Sequence, residues 1–257
     1  MFDNFTPYTY SGEPVTDGHR FVACTPSQES SIGFLEPGVV RIERRTVPPQ
    51  AIDRRVRELS EAYEREAGCK AGRKKIKEFK EQAFVDLLPR AFSKTKDVRF
   101  TYLEAQGLLV VGSTSQADLD AITTLLVAAD DKLAIGMLVT KENPATVLSG
   151  WVAQGECDAE GFQLGRKVKL VGVEGNVSYD KHSLGCDNVK EHLKQGKVVE
   201  ELSLVLGEAS FTLTDTLQFK AVDVQLQSEG DEAELVLWRK ALGDILAATV
   251  AAFGGRA

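Results

Sequence analysis

Ile52, Val56, Leu59 and Tyr63 fall at steps of four, three and four, while Arg54, Arg55, Arg57 and Arg65 lie mainly off that line. This is the single apolar stripe of an amphipathic helix. It starts just after Val47-Pro48-Pro49, where the last proline suits a first helical turn because that turn does not need its amide. Gly68 and Gly72 bracket the stop. A second helix is expected from Arg73 to Leu88, striped by Ile76, Phe79, Ala83 and Leu87, so the two read as a helical hairpin with arms of roughly 25 Å. Pro89 disfavours a helical Leu88.

The rest of the chain mixes periods. The aromatics Phe2, Phe5, Tyr8 and Tyr10 suggest a short strand, as do His19–Ala23 and Val39–Arg45. Val98–Leu103 and Gly107–Gly112 read as two paired strands. Ser115 is placed to cap a helix through Leu119, Ile122, Leu125 and Leu126. Ala134–Val139, Phe162–Leu164 and Lys167–Val171 are further strands, and a helix over Cys186–Gln195 ends at Gly196. Leu202, Leu204 and Leu206, then Phe211, Leu213, Leu217 and Phe219, alternate as a meander, and an apolar helix from Ala233 to Phe253 stops at Gly254-Gly255. Strands and helices come in runs with hairpin connections, which gives an α+β fold with antiparallel sheets and a basic helical hairpin projecting from it. The expected domains are a central one from 1–46, 98–142 and 231–257, a projecting tip over 47–97, and a base domain over 143–230.

Charge sharpens this picture. The 257 residues carry a net charge of −7, yet residues 41–100 hold 17 Lys/Arg against 10 Asp/Glu. The other 197 residues hold 14 against 28. Such asymmetry suits a protein that offers one face to a polyanion and turns another away. Arg73, Lys74, Lys75 and Lys77 are the densest cluster, and phosphate contact needs little beyond density of charge.

Candidate chemistry is sparse. Cys24, Cys69, Cys157 and Cys186 are scattered, as free thiols of a reducing compartment would be. His182, Cys186 and His192 lack both zinc spacing and a fourth ligand, so no metal is expected. There is no phosphate-cradling loop and no GxSxG, so no cofactor and no catalytic residue are assigned. Acidic residues such as Glu208, Asp215 and Asp223 with Lys220 could be assembled into a metal-dependent nuclease, as similar sets could in many chains this rich in charge. No apolar run is long enough for a membrane span, and the N-terminus lacks the pattern of a signal peptide, which points to the cytoplasm.

Several blocks then resemble a known family. Leu87-Leu-Pro-Arg-Ala-Phe-Ser93, Glu142-Asn-Pro, Trp151-Val152 with Gly155, Gly161-Phe-Gln-Leu164, and Lys181 through His192 to Gly196-Lys-Val-Val199 are similar, in order, to the recombination-associated protein RdgC family of bacteria. Phe21–Pro37 matches more loosely, with Phe34 where the family has Trp. The segment before Phe21 is shorter than usual, as in a trimmed, phage-type member.

The resemblance implies a homodimer closed into a ring around double-stranded DNA. The ring would bind without sequence preference, associate with the nucleoid, and restrain RecA-dependent recombination by occupying DNA. It implies contact with RecA only indirectly, through shared DNA, and no membrane. Besides the cluster at 73–77, it points to Arg90, Lys94, Lys181 and His182 as DNA-binding residues. Pro89 and Phe92 would form a dimer contact where two hairpin tips meet. The alternative for Phe92 is packing within its own domain. The alternatives in function are a metal-dependent exonuclease and a direct protein inhibitor of the recombinase.

Overall fold

The computed structural model describes residues 2–225 and 231–257 of the chain. Residues 226–230 of the expected base domain lie outside the described residues. In chain order the elements are strands β1 (Thr6–Ser11), β2 (Ser30–Glu36) and β3 (Val39–Thr46), helices α1 (Pro49–Ala67) and α2 (Arg73–Leu87), strands β4 (Phe92–Leu103) and β5 (Leu108–Val111), and helix α3 (Gln116–Ala129). There follow β6 (Ala134–Met137), α4 (Pro144–Gln154), β7 (Phe162–Val171), β8 (Val177–Tyr179), α5 (Asp187–Lys194), β9 (Val198–Leu206), β10 (Ala209–Thr214), β11 (Phe219–Val224) and α6 (Asp231–Ala252). All the strand pairs with a defined register are antiparallel, so the fold is α+β. The chain divides into two compact units, one of residues 1–15 with 99–257 and one of residues 16–98.

In the 16–98 unit, β2 and β3 form a hairpin with Ile32 opposite Ile42, and β4 follows β3 in strand order. His19–Ala23, expected as a strand, is not one. The segment crosses β2 at a single bridge from Arg20 to Phe34, with the Phe21 amide donating to the Phe34 carbonyl at 3.0 Å. Gly33 makes the crossing possible, because a Cβ there would stand 2.5 Å from the Phe21 Cα.

The helices form as their stripes predict. Pro49 opens α1, and Gly68, left-handed at φ 66°, closes it with its amide on the Glu64 carbonyl. Val56, Phe79 and Ala83 are buried between α1 and α2, with Ile52, Leu59 and Tyr63 packed beside them. Ile76 is 37% exposed and is no part of this core. Leu88 keeps helical angles (φ −54°, ψ −42°) despite the following proline, because Leu88–Arg90 form one 3-10 turn. Where the sequence pattern placed a strand from Val98, β4 begins six residues earlier, at Phe92.

The other unit holds the main core. Its strands run β4-β5-β1-β6 in one sheet and β11-β10-β9-β7-β8 in the other. Phe162–Leu164 and Lys167–Val171 are one strand, β7, whose pairing with β9 shifts register between Leu164 and Val168. The meander is β9-β10-β11, with Leu202 opposite Leu213 and Leu204 opposite Phe211. Residues 2–5 tie into it: Phe5 and Phe219 exchange both backbone hydrogen bonds at 2.8 and 2.9 Å, and their rings stack 4.5 Å apart. Trp151 of α4 is packed between Phe162 (5.5 Å) and Phe253 (5.8 Å) and is 3% exposed. Truncating it leaves a large cavity, so Trp151→Ala is expected to cost about 3–5 kcal/mol. A melting scan checks this, and a variant that melts with the parent would refute the packing.

Candidate nucleic-acid interface

Ion pairs on the 16–98 unit decide which cations remain available to a ligand. On α1, Arg54 lies 3.6 Å from Glu58, while Arg55 reaches Glu58 at 3.1 Å and Asp86 of α2 at 2.8 Å. That surface is neutralised internally. On α2, Arg73, Lys74 and Lys77 are exposed and make no ion pair with the described residues. Lys75 differs from its neighbours. It is half-buried, bridges to Glu78 at 2.9 Å, and lies over the rings of Phe79 (5.4 Å) and Tyr63 (6.0 Å). The Glu78 carboxylate holds its ammonium pKa above the usual lysine range.

Lys80, passed over in the sequence reading, is also exposed and without an ion pair. At about 100° per residue, Arg73, Lys77 and Lys80 share one stripe of α2 with Lys74 beside it. That spacing was the signal that could have found Lys80. With Lys70 just before the helix, five unpaired cations gather near the Gly68–Gly72 turn.

Arg90 and Lys94 are exposed as well, but they lie at the other end of α2, roughly 22 Å along the helix from Arg73. Arg90 lines a cleft with Gln50, Arg54 and Leu87. Pro89 and Phe92 belong to this end too. The expectation that Pro89–Phe92 sit at the hairpin tip is therefore corrected, since the connection between the helices is Gly68–Gly72 and the Phe92 segment follows the return helix. Phe92 is 87% exposed, which overturns packing within its own domain.

Lys181 and His182 lie in the other unit. Lys181 takes a left-handed φ of 55°, unusual for a side chain with a Cβ, and its carbonyl accepts from Arg166 Nη2 at 2.9 Å. The His182 amide donates to the Arg166 carbonyl at 3.1 Å, while Nδ1 lies 2.9 Å from the Ser183 carbonyl and 3.6 Å from Cys186 Sγ. The loop is thus clipped to β7, with the Lys181 side chain exposed. Three other lysines of this unit are neutralised: Lys169 pairs with Glu200 at 2.6 Å, and Lys220 and Lys167 share Glu201 at 2.8 and 4.0 Å.

The same pairs bear on the nuclease set. Lys220 is committed to Glu201, and burial, helped by Glu200, pushes the Asp215 carboxyl above its usual range. Among the described residues no three His, Cys, Asp or Glu side chains are grouped as a metal would need.

A family model described as "Putative exonuclease, RdgC" matches residues 38–255, most of the chain. The chain belongs to the RdgC family. Curated relatives carry the name "Recombination-associated protein RdgC". The one from Bordetella pertussis is 28% identical over 232 residues, covering 84% of this chain and 77% of the relative. The one from Janthinobacterium sp. is 28% identical and covers 92% of this chain and 89% of the relative. The one from Neisseria meningitidis is 35% identical over 172 residues, 63% of this chain and 57% of its own. The RdgC match takes in both α1 and α2, Phe92 and the Lys181 loop. Among the described residues no helix is long and apolar enough to cross a membrane.

Proposed function

We propose that this RdgC-family chain binds duplex DNA without reading its sequence, closes around it as a homodimer, and restrains RecA-dependent recombination by occupying DNA. The observation that carries this reading is the group of exposed cations at Lys70, Arg73, Lys74, Lys77 and Lys80, none of them in an ion pair with the described residues. Cations free of protein partners are available to replace the counterions of a phosphate backbone. The name shared by the relatives supports a role in recombination. Lys181, exposed on its clipped loop, is a further phosphate contact in this reading, and Arg90 and Lys94 flank the dimer contact at Phe92.

Five neutralised phosphates set the expected salt response. The log–log slope of affinity against salt should be about −4 to −5. Unrelated duplexes of equal length should bind within a few-fold of one another in a gel shift. A strong preference for one sequence, or a flat salt response, sinks the proposal.

The family description favours exonuclease activity as a second reading. Incubating end-labelled duplex with the protein in magnesium or manganese separates the two, since shortening of the strands supports the exonuclease and intact, shifted DNA supports the binding ring. A pull-down of RecA without DNA tests direct inhibition.

A further inference from the structure

Glu43 and Arg45 are charged residues on β3 that the DNA-binding reading leaves without a role. Both point to the same side of the strand, two residues apart. Glu43 is only 6% exposed, and its Oε2 accepts the Cys24 amide at 2.8 Å. That amide holds its carboxyl below the usual glutamate range, and against the opposing effect of burial the Ser93 hydroxyl and Arg45 add to the lowering. Arg45 donates from Nη1 to the Leu88 carbonyl and from Nη2 to the Cys24 carbonyl, each at 3.2 Å. The Leu88 carbonyl also accepts the Ala91 amide at 3.1 Å. Arg45 thus grips Leu88, the residue just before Pro89–Phe92, while Glu43 holds the amide of Cys24, whose carbonyl takes the other end of the same guanidinium.

Taking charge out of water contributes little net stability, because desolvation offsets the bonds the charge makes. What it does supply is geometry, since each hydrogen bond is lost if the segment moves. Phe92 is 87% exposed, so its own side chain does not hold it in place. We propose that Arg45 is a positioning residue that fixes Leu88 and thereby the direction in which Phe92 is presented, with Glu43 acting on it through Cys24. The consequence for DNA rests on the dimer-contact reading of Phe92, whereas the grip itself does not.

Two readouts keep these apart. Hydrogen–deuterium exchange of the peptide spanning residues 86–94 should quicken at least about tenfold in Arg45→Met, the equivalent of one charge-assisted hydrogen bond. Glu43→Gln should act in the same direction, and Arg45→Lys, which can reach one carbonyl but not both, should recover part of the protection. Should Arg45→Met lose its cooperative melt, Glu43→Gln and Arg45→Lys carry the same comparison. Retention on closed circular DNA after a salt challenge is the second readout. Arg45→Met should lose it to the extent that Phe92→Ala does, and the double variant should lose no more. Exchange at 86–94 unchanged by both Arg45→Met and Glu43→Gln overturns the proposal whatever the DNA result. Additive losses in the double variant overturn it too. If Phe92→Ala alone leaves retention intact, the dimer contact is what fails, and exchange still decides the grip.

Discussion

Phe92→Ala is expected to keep the parent's melting temperature and dimeric mass while losing its hold on closed circular DNA. The ring is 87% exposed, so removing it opens no cavity within the chain, and the loss of about 3–5 kcal/mol that follows a buried Phe→Ala does not apply. If the ring is buried against a second subunit instead, it is the kind of anchor whose truncation often costs more than about 2 kcal/mol of association. A ring opened at that one contact releases DNA sideways, and linear and circular DNA then behave alike under salt. Melting, mass by size exclusion and circle retention together decide the matter. Unaltered retention removes Phe92 from the interface, and a large fall in melting temperature contradicts its exposure.

Replacing Arg73, Lys74, Lys77 and Lys80 together by Ala should weaken duplex binding at least about a hundredfold near 0.15 M salt, and should flatten the salt slope by about 3 to 4. Alanine is the best helix former and these positions are exposed, so circular dichroism should show α2 intact. Lys75→Ala is the internal control. Its charge is already committed to Glu78, so it should cost far less affinity than any of the four. Equal losses at Lys75 and Lys77 would show that ion pairing in the free protein does not rank these contacts. Unchanged affinity in the fourfold variant would place the DNA elsewhere, with the Lys181 loop the first place to look.

The helices other than α4 were legible because their apolar spacing and the residues at their ends agree, whereas α4, with Gly150 in its interior, was not read as a helix. Pro49, the stripe through Tyr63 and Gly68 define α1 to the residue. Strands whose partners are distant in sequence were less so. β8 is three residues long, too short for its alternation to stand out, and β2 is recognisable only once β3 is laid against it. The early start of β4 at Phe92 was hidden because Phe92–Asp97 are all exposed, and an exposed strand shows no period. At the site, the density of cations was visible but their pairing was not. Lys75 and Lys77 look alike in sequence, yet only one has a carboxylate and two rings around it. The separation of Arg73 from Arg90 follows from helix length alone. The grip of Arg45 on Leu88 joins residues more than forty positions apart, which no local pattern reports.

The interleaving of the two units along the chain has a consequence for synthesis. Residues 16–98 are contiguous, so that unit has all its partners once residue 98 has left the ribosome. The other unit does not. β1 must wait for β5 and β6, and Phe5 must wait for Phe219. Tyr8 and Tyr10 have no sheet to enter until β5 and β6 have emerged, Phe5 has no partner until residue 219, and such exposed apolar segments are the ones prone to aggregate during folding. The chain therefore builds its cationic helices first and seals its main core last, using its earliest residues to do so.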